Sequence, residues 1–274
     1  MLEVANTIPR HAGESLQTIN GLPDTFQRGR QTGTIYNLDA RSVLYEDDYF
    51  LSEYQKQYRR TYIADEFLIR QAARRRLERA LQGAAPGSVT NLLEIGCATG
   101  FLLDEAREAG LQPTGSEISQ YAAAYAREHF GLAVIEGAFL DREWLSESYD
   151  LIVACYTLEH IAEQVRLWQT IQQCLRPGGL LYLALPSTRG PVYHWDKSAW
   201  VATHPRDHFV DYDPTSLRRT LALYGLQLQQ IWPASYHQRR CRGLRRWLPP
   251  ALYRRYADWQ AWGDTMEALA VKPV

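Results

Sequence analysis

The stretch from Asn91 to Gly100, NLLEIGCATG, constrains this chain more than any other part of its sequence. An apolar run leads into an acid, and the turn Gly96-Cys97-Ala98-Thr99-Gly100 follows at once. A second apolar run ends at Glu117, twenty-one residues beyond Gly96. Strand, small-residue turn, helix, strand and terminal acid in this register describe a nucleotide-binding βαβ unit. Small residues let the backbone approach a ligand, the following helix aims its N–H groups at it, and the acid holds a ribose.

The rest of the core repeats the alternation. The apolar pattern predicts strands near Leu92–Ile95, Pro113–Glu117, Ala133–Glu136, Leu151–Cys155 and Leu180–Leu185. It predicts helices near Gly100–Ala109, Ser119–His129 and Ala162–Leu175, the last stopped by Pro177-Gly178-Gly179. Alternation of this kind gives a largely parallel sheet covered on both faces. Asp213-Pro214-Thr215 opens a further helix that Gly225 ends, and strands are expected at Gln227–Trp232 and Thr265–Val271. No internal repeat is visible.

Ahead of the core, residues 1 to about 40 are polar and aperiodic, which suggests a flexible lead-in or a loosely packed arm. Phe50, Tyr54, Tyr58 and Tyr62 then recur every four residues, and Ile69, Ala73, Leu77 and Leu81 form a second ladder with arginines between its rungs. Two helices are expected there, closed by the breaker Gly83-Ala84-Ala85-Pro86-Gly87. The organisation read from this is an arm and helical cap over residues 1–88, then one domain over 89–274. An insertion at about 187–212 interrupts that domain, rich in tryptophan and histidine.

Composition narrows the function classes. A formal net charge of −1 gives no bulk electrostatic pull on polyanions. No apolar stretch approaches the roughly 20 residues that span a bilayer, and the N-terminus shows no secretory pattern. The four cysteines lack zinc-ligand spacing, so reduced thiols in a cytoplasmic protein are expected.

The LEIGCATG turn with its distal acid resembles the class I S-adenosylmethionine-dependent methyltransferases, over about Leu92 to Val271. LRPGGLLYLALP (Leu175–Pro186) is similar to the family's helix-to-fifth-strand segment, and GDTMEALAVKP (Gly263–Pro273) to its final antiparallel strand. YDLIVACYTLEHI (Tyr149–Ile161) resembles the fourth strand of the subgroup that holds ubiquinone-type O-methyltransferases and secondary-metabolite or sugar-modifying relatives. The turn reads GxAxG where dehydrogenases carry GxGxxG, and Ala98 replaces a common methyltransferase glycine. The resemblance implies a doubly wound, Rossmann-like α/β fold with seven strands, the last antiparallel. It also implies S-adenosylmethionine as cofactor and S-adenosylhomocysteine as product.

Carried over residue by residue, the resemblance puts Glu94, Gly96, Cys97, Ala98 and Gly100 around the aminocarboxypropyl arm and Glu117 on the ribose hydroxyls. Ile118 would press on the adenine, with Gly137, Ala138 and Phe139 along its edge and Cys155 and Tyr156 near the sulfonium. Tyr58 and Arg60 would reach the cofactor carboxylate or the acceptor if the first helix acts as a lid. Alternatives stay open: Glu94 can serve backbone donors, Glu117 can cap the helix after Ser119, and Cys97 reads as a small turn residue rather than a nucleophile.

Methyl transfer to a hydroxyl benefits from a base, for which histidine suits neutral pH. His160, after the fourth strand, and His204 and His208, in the insertion, are the candidates, although each also admits a packing or capping role. Together they favour O-methylation of a small molecule in secondary-metabolite, quinone or glycan biosynthesis. Transfer to nitrogen or carbon, or a catalytically silent cofactor-binding partner subunit, are the alternatives. Ala154-Cys155-Tyr156-Thr157 departs from the Asn/Asp-Pro-Pro-aromatic turn of amino-nucleobase methyltransferases, which disfavours a flipped-base substrate. Tyr156 stands where some relatives place the first acid of a metal-holding E-x-x-E-H pattern, so no metal is expected despite Glu159 and His160. Trp195 and Trp200 can line an acceptor pocket or anchor the insertion. The run Arg239, Arg240, Arg242, Arg245 and Arg246 reads by default as a solvated helix face. A phosphorylated carrier, nucleotide sugar or anionic membrane surface is the sharper reading of that run, and nucleic acid is disfavoured.

Overall fold

The computed structural model describes residues 11, 13–42, 61–82, 84, 85 and 87–274. Near-continuous apolar runs become buried strands, and Pro177-Gly178-Gly179, expected to precede the fifth core strand, lies within it. In chain order the core runs β4 (Asn91–Ile95), α2 (Phe101–Glu108), β5 (Gln112–Glu117), α3 (Gln120–Phe130), β6 (Ala133–Glu136), β7 (Tyr149–Cys155), α4 (Gln164–Cys174) and β8 (Leu175–Pro186). It is completed by α7 (Pro214–Leu223), β10 (Gln227–Pro233) and β11 (Thr265–Val271). These strands make a seven-stranded sheet in the order β10-β11-β8-β7-β4-β5-β6. β4 pairs in parallel with both β5 and β7, and β5 with β6. β11 is the antiparallel member: the Lys272 N–H donates to the Gly179 carbonyl while the Gly178 N–H donates to the Lys272 carbonyl. Strand order reverses between β4 and β7, so the chain leaves the C-terminal ends of these two neighbouring strands in opposite directions, the switch point at which open α/β sheets bind ligands.

Contacts divide the chain into two compact units. One gathers Val43–Cys155, Thr170–Tyr182 and Val271–Val274, the other Met1–Ser42, Tyr156–Gln169 and Leu183–Ala270. In the first, α1 (Glu66–Leu81) buries Ala73, Leu77 and Ala80, close to the expected ladder. Its arginines fasten it to α2: Arg70 donates to Asp104 (2.8 Å) and Glu105 (3.0 Å), and Arg74 donates to Glu105. The first ladder, including Tyr58 and Arg60, lies outside the described residues; Tyr62, just after it, stacks on Phe101.

In the other unit the structure differs from the sequence reading. Residues 11–42 are no loose arm where described. They supply β1 (Leu16–Thr18), β2 (Phe26–Gly29) and β3 (Ile35–Asn37). The insertion folds as α5 (Pro191–Trp195), α6 (Lys197–Thr203) and β9 (Val210–Asp211), and β9 completes a four-stranded sheet in the order β1-β2-β3-β9. At its centre Tyr36 is fully buried and donates to Glu14 (2.5 Å), which also accepts from Thr32 N–H and Oγ. His11 meets the Tyr224 hydroxyl at 3.0 Å. Burial pushes His11 down to about 4. Polarity misled the reading because the polar residues here satisfy one another inside.

The arginine run also departs from expectation. Arg239 and Arg240 lie on one short 3-10 turn, Gln238–Arg240, and Arg245 and Arg246 on another, Gly243–Trp247, with Arg242 in extended backbone between them and α8 (Pro250–Gln260) after. No described helix is long and apolar enough to cross a membrane.

Candidate functional site

The cofactor turn is assembled in the first unit. Gly96 (φ 71°), Ala98 (φ 48°) and Gly100 (φ 84°) all take left-handed backbone, which bends the chain sharply out of β4 and into α2. Gly96 and Cys97 N–H both donate to the Ser116 carbonyl, clamping the turn to β5. A side chain at Gly100 would put Cβ 2.8 Å from Ala126 Cβ and Leu132 Cδ1; one at Gly115 would meet Cys97 Sγ at 2.5 Å. Cys97 is therefore a packing residue of the turn. Burial raises its thiol well above the ordinary value, which removes the thiolate a nucleophile needs.

Glu117 ends β5 nearly buried. Its Oε2 accepts from the Ala98 N–H at 2.7 Å and its Oε1 from the Ser119 N–H at 2.9 Å. Capping of α3 falls instead to Ser119, whose hydroxyl accepts from Ala122 N–H. Burial raises the Glu117 carboxyl against the pull of those N–H bonds. Each oxygen keeps a lone pair for a further donor. Ile118, the next residue, is 54% exposed, an open apolar surface at the strand exit. The Gly137 N–H donates to the Glu117 carbonyl (2.8 Å), which sets Gly137 and Ala138 beside that exit. Phe139 turns inward, buried against Trp144 at 5.1 Å, so the backbone of 137–138 rather than its ring borders the exit.

Two buried polar atoms in this turn lack a hydrogen-bond partner, Glu94 Oε2 and Thr99 Oγ1. Burial drives the Glu94 carboxyl well above its usual range, ahead of opposing charge from Arg76 and reinforcing charge from Glu117. Orphaned buried acceptors are costly, and a ligand with polar donors resolves them. Thr99 was not among the residues carried over from the family motif. An amino-acid arm at the turn, ribose hydroxyls at Glu117 and a flat base over Ile118 match this donor and acceptor set. S-adenosylmethionine has all three parts.

Cys155 is half-buried at the end of β7, where Ala154 lies level with Ile95 of β4. The next residue, Tyr156, begins the other unit's part of the chain. It is 39% exposed, takes φ 53°, and donates its N–H to the Ala184 carbonyl. A bulky residue in left-handed backbone stores strain of about 1–2 kcal/mol, a pattern concentrated at functional positions.

The three histidines meet in one cluster of that unit. His160 lies on the short turn Leu158–His160, which Gln164 holds by donating to the Leu158 and Ile161 carbonyls. The Phe209 N–H donates to the Glu159 carbonyl and pins the second segment there. His160 and His208 rings stand 4.6 Å apart edge to face, His204 and His208 5.4 Å. Each outer histidine has its own carboxylate: His160 Nδ1 lies 2.9 Å from Asp207, His204 Nε2 2.9 Å from Asp211. Burial pulls His160 down, but the Asp207 hydrogen bond and the nearby acids outweigh it, so it is raised. His208 has no such partner, and burial lowers it to about 4. Sequence reading missed Asp207 and Asp211; the spacing H-x3-H-x2-D over 204–211 was the available signal.

Glu159 is 1% exposed with neither carboxylate oxygen hydrogen-bonded, and burial raises it to about 7. Ligand atoms of Glu159, His160 and His208 lie within 4.8 Å of one another, as do those of His204, His208 and Asp211. These two groups, which share His208, have ligand atoms close enough to accept one cation each. Trp200 packs against Phe26 (5.0 Å) and His204 (4.5 Å), and Trp195 against Trp262 (5.2 Å).

A family model described as a methyltransferase domain matches residues 57–231. The ubiquinone biosynthesis O-methyltransferase of Caulobacter sp. (strain K31) is 30% identical over 123 residues, 42% of this chain and 48% of that protein. That of Methylobacterium sp. (strain 4-46) is 30% identical over 121 residues, 42% of this chain and 49% of that one. The chain thus spans about half the length of the curated relatives it matches. An S-adenosylmethionine-dependent methyltransferase structure from Archaeoglobus fulgidus shares the fold at a TM-score of 0.59 and 16% identity, covering 82% of this chain and 100% of its own. The small-residue turn with its distal acid Glu117, the sheet order and the family match together place the chain in the methyltransferase-domain family, among the class I S-adenosylmethionine-dependent methyltransferases.

Proposed function

We propose that the chain methylates a hydroxyl of a small-molecule acceptor, with His160 as general base. The observation that carries this reading is the His160–Asp207 pair at 2.9 Å. S-adenosylmethionine supplies a carbon made electrophilic by positive sulfur, so the chain's own residues need only align the acceptor and take its proton. Asp207 accepts from Nδ1–H, which fixes the tautomer and leaves Nε2 as the basic atom. The proton of the acceptor hydroxyl passes to Nε2, and the buried acids stabilise the imidazolium that forms. His204 and Asp211 position the neighbouring His208, and the names of the relatives support oxygen as the acceptor atom. Cysteine chemistry has no part in it, since Cys97 is held protonated.

The test is methyl transfer from labelled S-adenosylmethionine to a panel of catechols, phenols and sugar alcohols. Replacing His160 with Ala should lower kcat by about 10²–10⁴ while cofactor affinity is unchanged. Removing the raising influence with Asp207→Asn should move the acid limb of the pH–kcat profile to lower pH. Undiminished turnover in His160→Ala would discard the base, and methylation of amine acceptors alone would move the reaction to nitrogen.

The unpartnered Glu159 carboxylate favours a second reading. Two histidines and a carboxylate are a donor set suited to Mn, Fe, Co or Zn, and a cation there would polarise the acceptor hydroxyl. Activity that survives exhaustive chelation supports the base alone; activity lost and restored by one of these ions supports the metal.

A further inference from the structure

Between residues 237 and 260 the sequence carries seven arginines and a single acid, Asp258, in a chain of net charge −1. The structure splits the arginines into two kinds. Arg245 points inward, its guanidinium 5.5, 5.1 and 5.0 Å from the ring centres of Trp195, Tyr256 and Trp262. Gln238 reinforces that anchor by donating to the Leu248 carbonyl (2.6 Å), and the Tyr253 hydroxyl lies 3.4 Å from Cys241 Sγ. Cation–π contacts of this kind hold a turn rigid against a helix. The Gly243–Trp247 turn is thus fixed beside α8, its Arg245 held by Trp195, Tyr256 and Trp262 of one packed cluster.

What this fastened platform presents outward is unusual for a protein surface. Leu244 is 87% exposed and Trp247 80%, one on either side of the Arg245–Arg246 pair. On α8, Tyr253 and Ala257 are buried, while Leu252 and Trp259, seven residues apart and so on one face, are 50% and 79% exposed. Arg239, Arg242, Arg246, Arg254 and Arg255 are exposed among them. Of the two acids in and beside the segment, Asp264 is taken by His237 and Arg240, and Asp258 accepts from Tyr236. Large apolar side chains held rigidly in water between cations have one fitting environment, the boundary between acidic headgroups and acyl chains. There the aromatic and leucine side chains enter the apolar layer and the guanidinium groups stay with the phosphates.

We propose that the segment from Arg239 to Trp259 docks the protein on an anionic phospholipid bilayer surface. An eleven-residue α8 reaches only about 16 Å, so the contact lies along the surface and does not cross it. The charge sign selects an anionic leaflet, and the four exposed apolar side chains distinguish insertion from simple phosphate pairing. A nucleic acid would use the same arginines but stack bases on the tryptophans and needs no exposed leucines. The proposal is independent of the acceptor and of turnover.

Flotation of the full chain with vesicles of phosphatidylcholine, or of phosphatidylcholine with about one quarter phosphatidylglycerol, tests it. Expected is association with the anionic vesicles at least about tenfold stronger than with the neutral ones, weakened as salt rises from about 50 to about 500 mM. Trp247→Ala with Trp259→Ala should weaken it by roughly tenfold or more, and so should Arg239→Glu with Arg242→Glu. These side chains are exposed, so S-adenosylmethionine binding by calorimetry should match the parent and certify the fold. No association with anionic vesicles, or association indifferent to the tryptophan pair, overturns the proposal. So does tight binding of a single-stranded RNA by a protein that ignores the vesicles.

Discussion

The cofactor turn and the histidine cluster solve opposite problems. The turn around Gly96–Gly100 is made mostly by backbone: N–H groups of Ala98 and Ser119 hold Glu117, and Ser116 holds Gly96 and Cys97. Its geometry is forced by positive φ values and by Gly100 and Gly115, where no Cβ fits. The cluster around His208 is made by side chains from two segments some forty residues apart. Its two outer histidines have carboxylate partners, while the Glu159 carboxylate accepts no hydrogen bond and His208 is held neutral. A pocket for a fixed ligand can be pre-formed in backbone. A place where protons or cations change hands keeps titratable groups buried and incompletely paired, and their pKa values are pushed apart as a result.

The largest effect that would break this contrast is at Glu117. If its two oxygens receive the ribose hydroxyls, Glu117→Ala removes two hydrogen bonds to a charged acceptor, about 3 kcal/mol or more and so a hundredfold or greater loss of S-adenosylmethionine affinity. Calorimetric titration with S-adenosylmethionine and S-adenosylhomocysteine measures it. Both should weaken alike, because the ribose is common to them. An affinity within about threefold of the parent would make Glu117 only a clamp for the Ala98 turn.

That contrast also explains what the sequence made legible. NLLEIGCATG and Glu117 lie within twenty-seven residues, and the physics linking them is local: a strand, a turn only small residues can make, a helix, a strand. The core strands could be read for the same reason, since apolar runs bounded by breakers need no knowledge of partners. β1 to β3 were invisible because their pairing is completed by β9, where Asp211 lies beside Ile35. Their buried polar residues, Glu14, Thr32 and Thr34, imitate an exposed segment. Likewise the sequence offered three histidines but not which carboxylate each would take. Asp207 and Asp211 become partners only once the 204–211 segment is pinned by the Phe209–Glu159 hydrogen bond. The fold was in the local pattern; the pairing was in the long-range contacts.

Glu159 sharpens the comparison next. Its carboxyl is raised from 4.5 to about 7, so the folded state favours the protonated form. The stability tied to that proton is complete below about pH 4.5 and is lost as pH rises through 7, amounting to about 3 kcal/mol above it. Glu159→Gln should therefore raise Tm at pH 8 by roughly 5–10 °C and leave it nearly unchanged at pH 5. His208, lowered to about 4, runs the other way: its contribution is lost as pH falls from 6.5 through 4. Thermal unfolding at the two pH values, repeated with a chelator and with added Mn²⁺ or Zn²⁺, reads both the titration and the cation. In the presence of a bound cation the sign reverses, and Glu159→Gln then lowers Tm because a ligand is lost. A variant equally stable with the parent at pH 8 under both conditions would show that the carboxyl has found a partner in solution.

The smallest effect probes the turn again, where backbone strain should be the only unsatisfied feature that a ligand does not relieve. Ala98 holds φ 48°, which costs an alanine about 1 kcal/mol relative to glycine. Ala98→Gly relieves that strain but loosens the unfolded chain by roughly 0.5–1 kcal/mol, so the two terms nearly cancel and Tm should move by less than about 3 °C. Cofactor affinity should stay within about twofold, because the N–H that Glu117 accepts belongs to the backbone and survives the change. A branched residue gives the opposite result: Ala98→Val adds β-branching in left-handed backbone, and both Tm and affinity should fall. A large affinity change in Ala98→Gly would mean that the alanine methyl itself touches the ligand, and the turn would then join the histidine cluster as a site built from side chains.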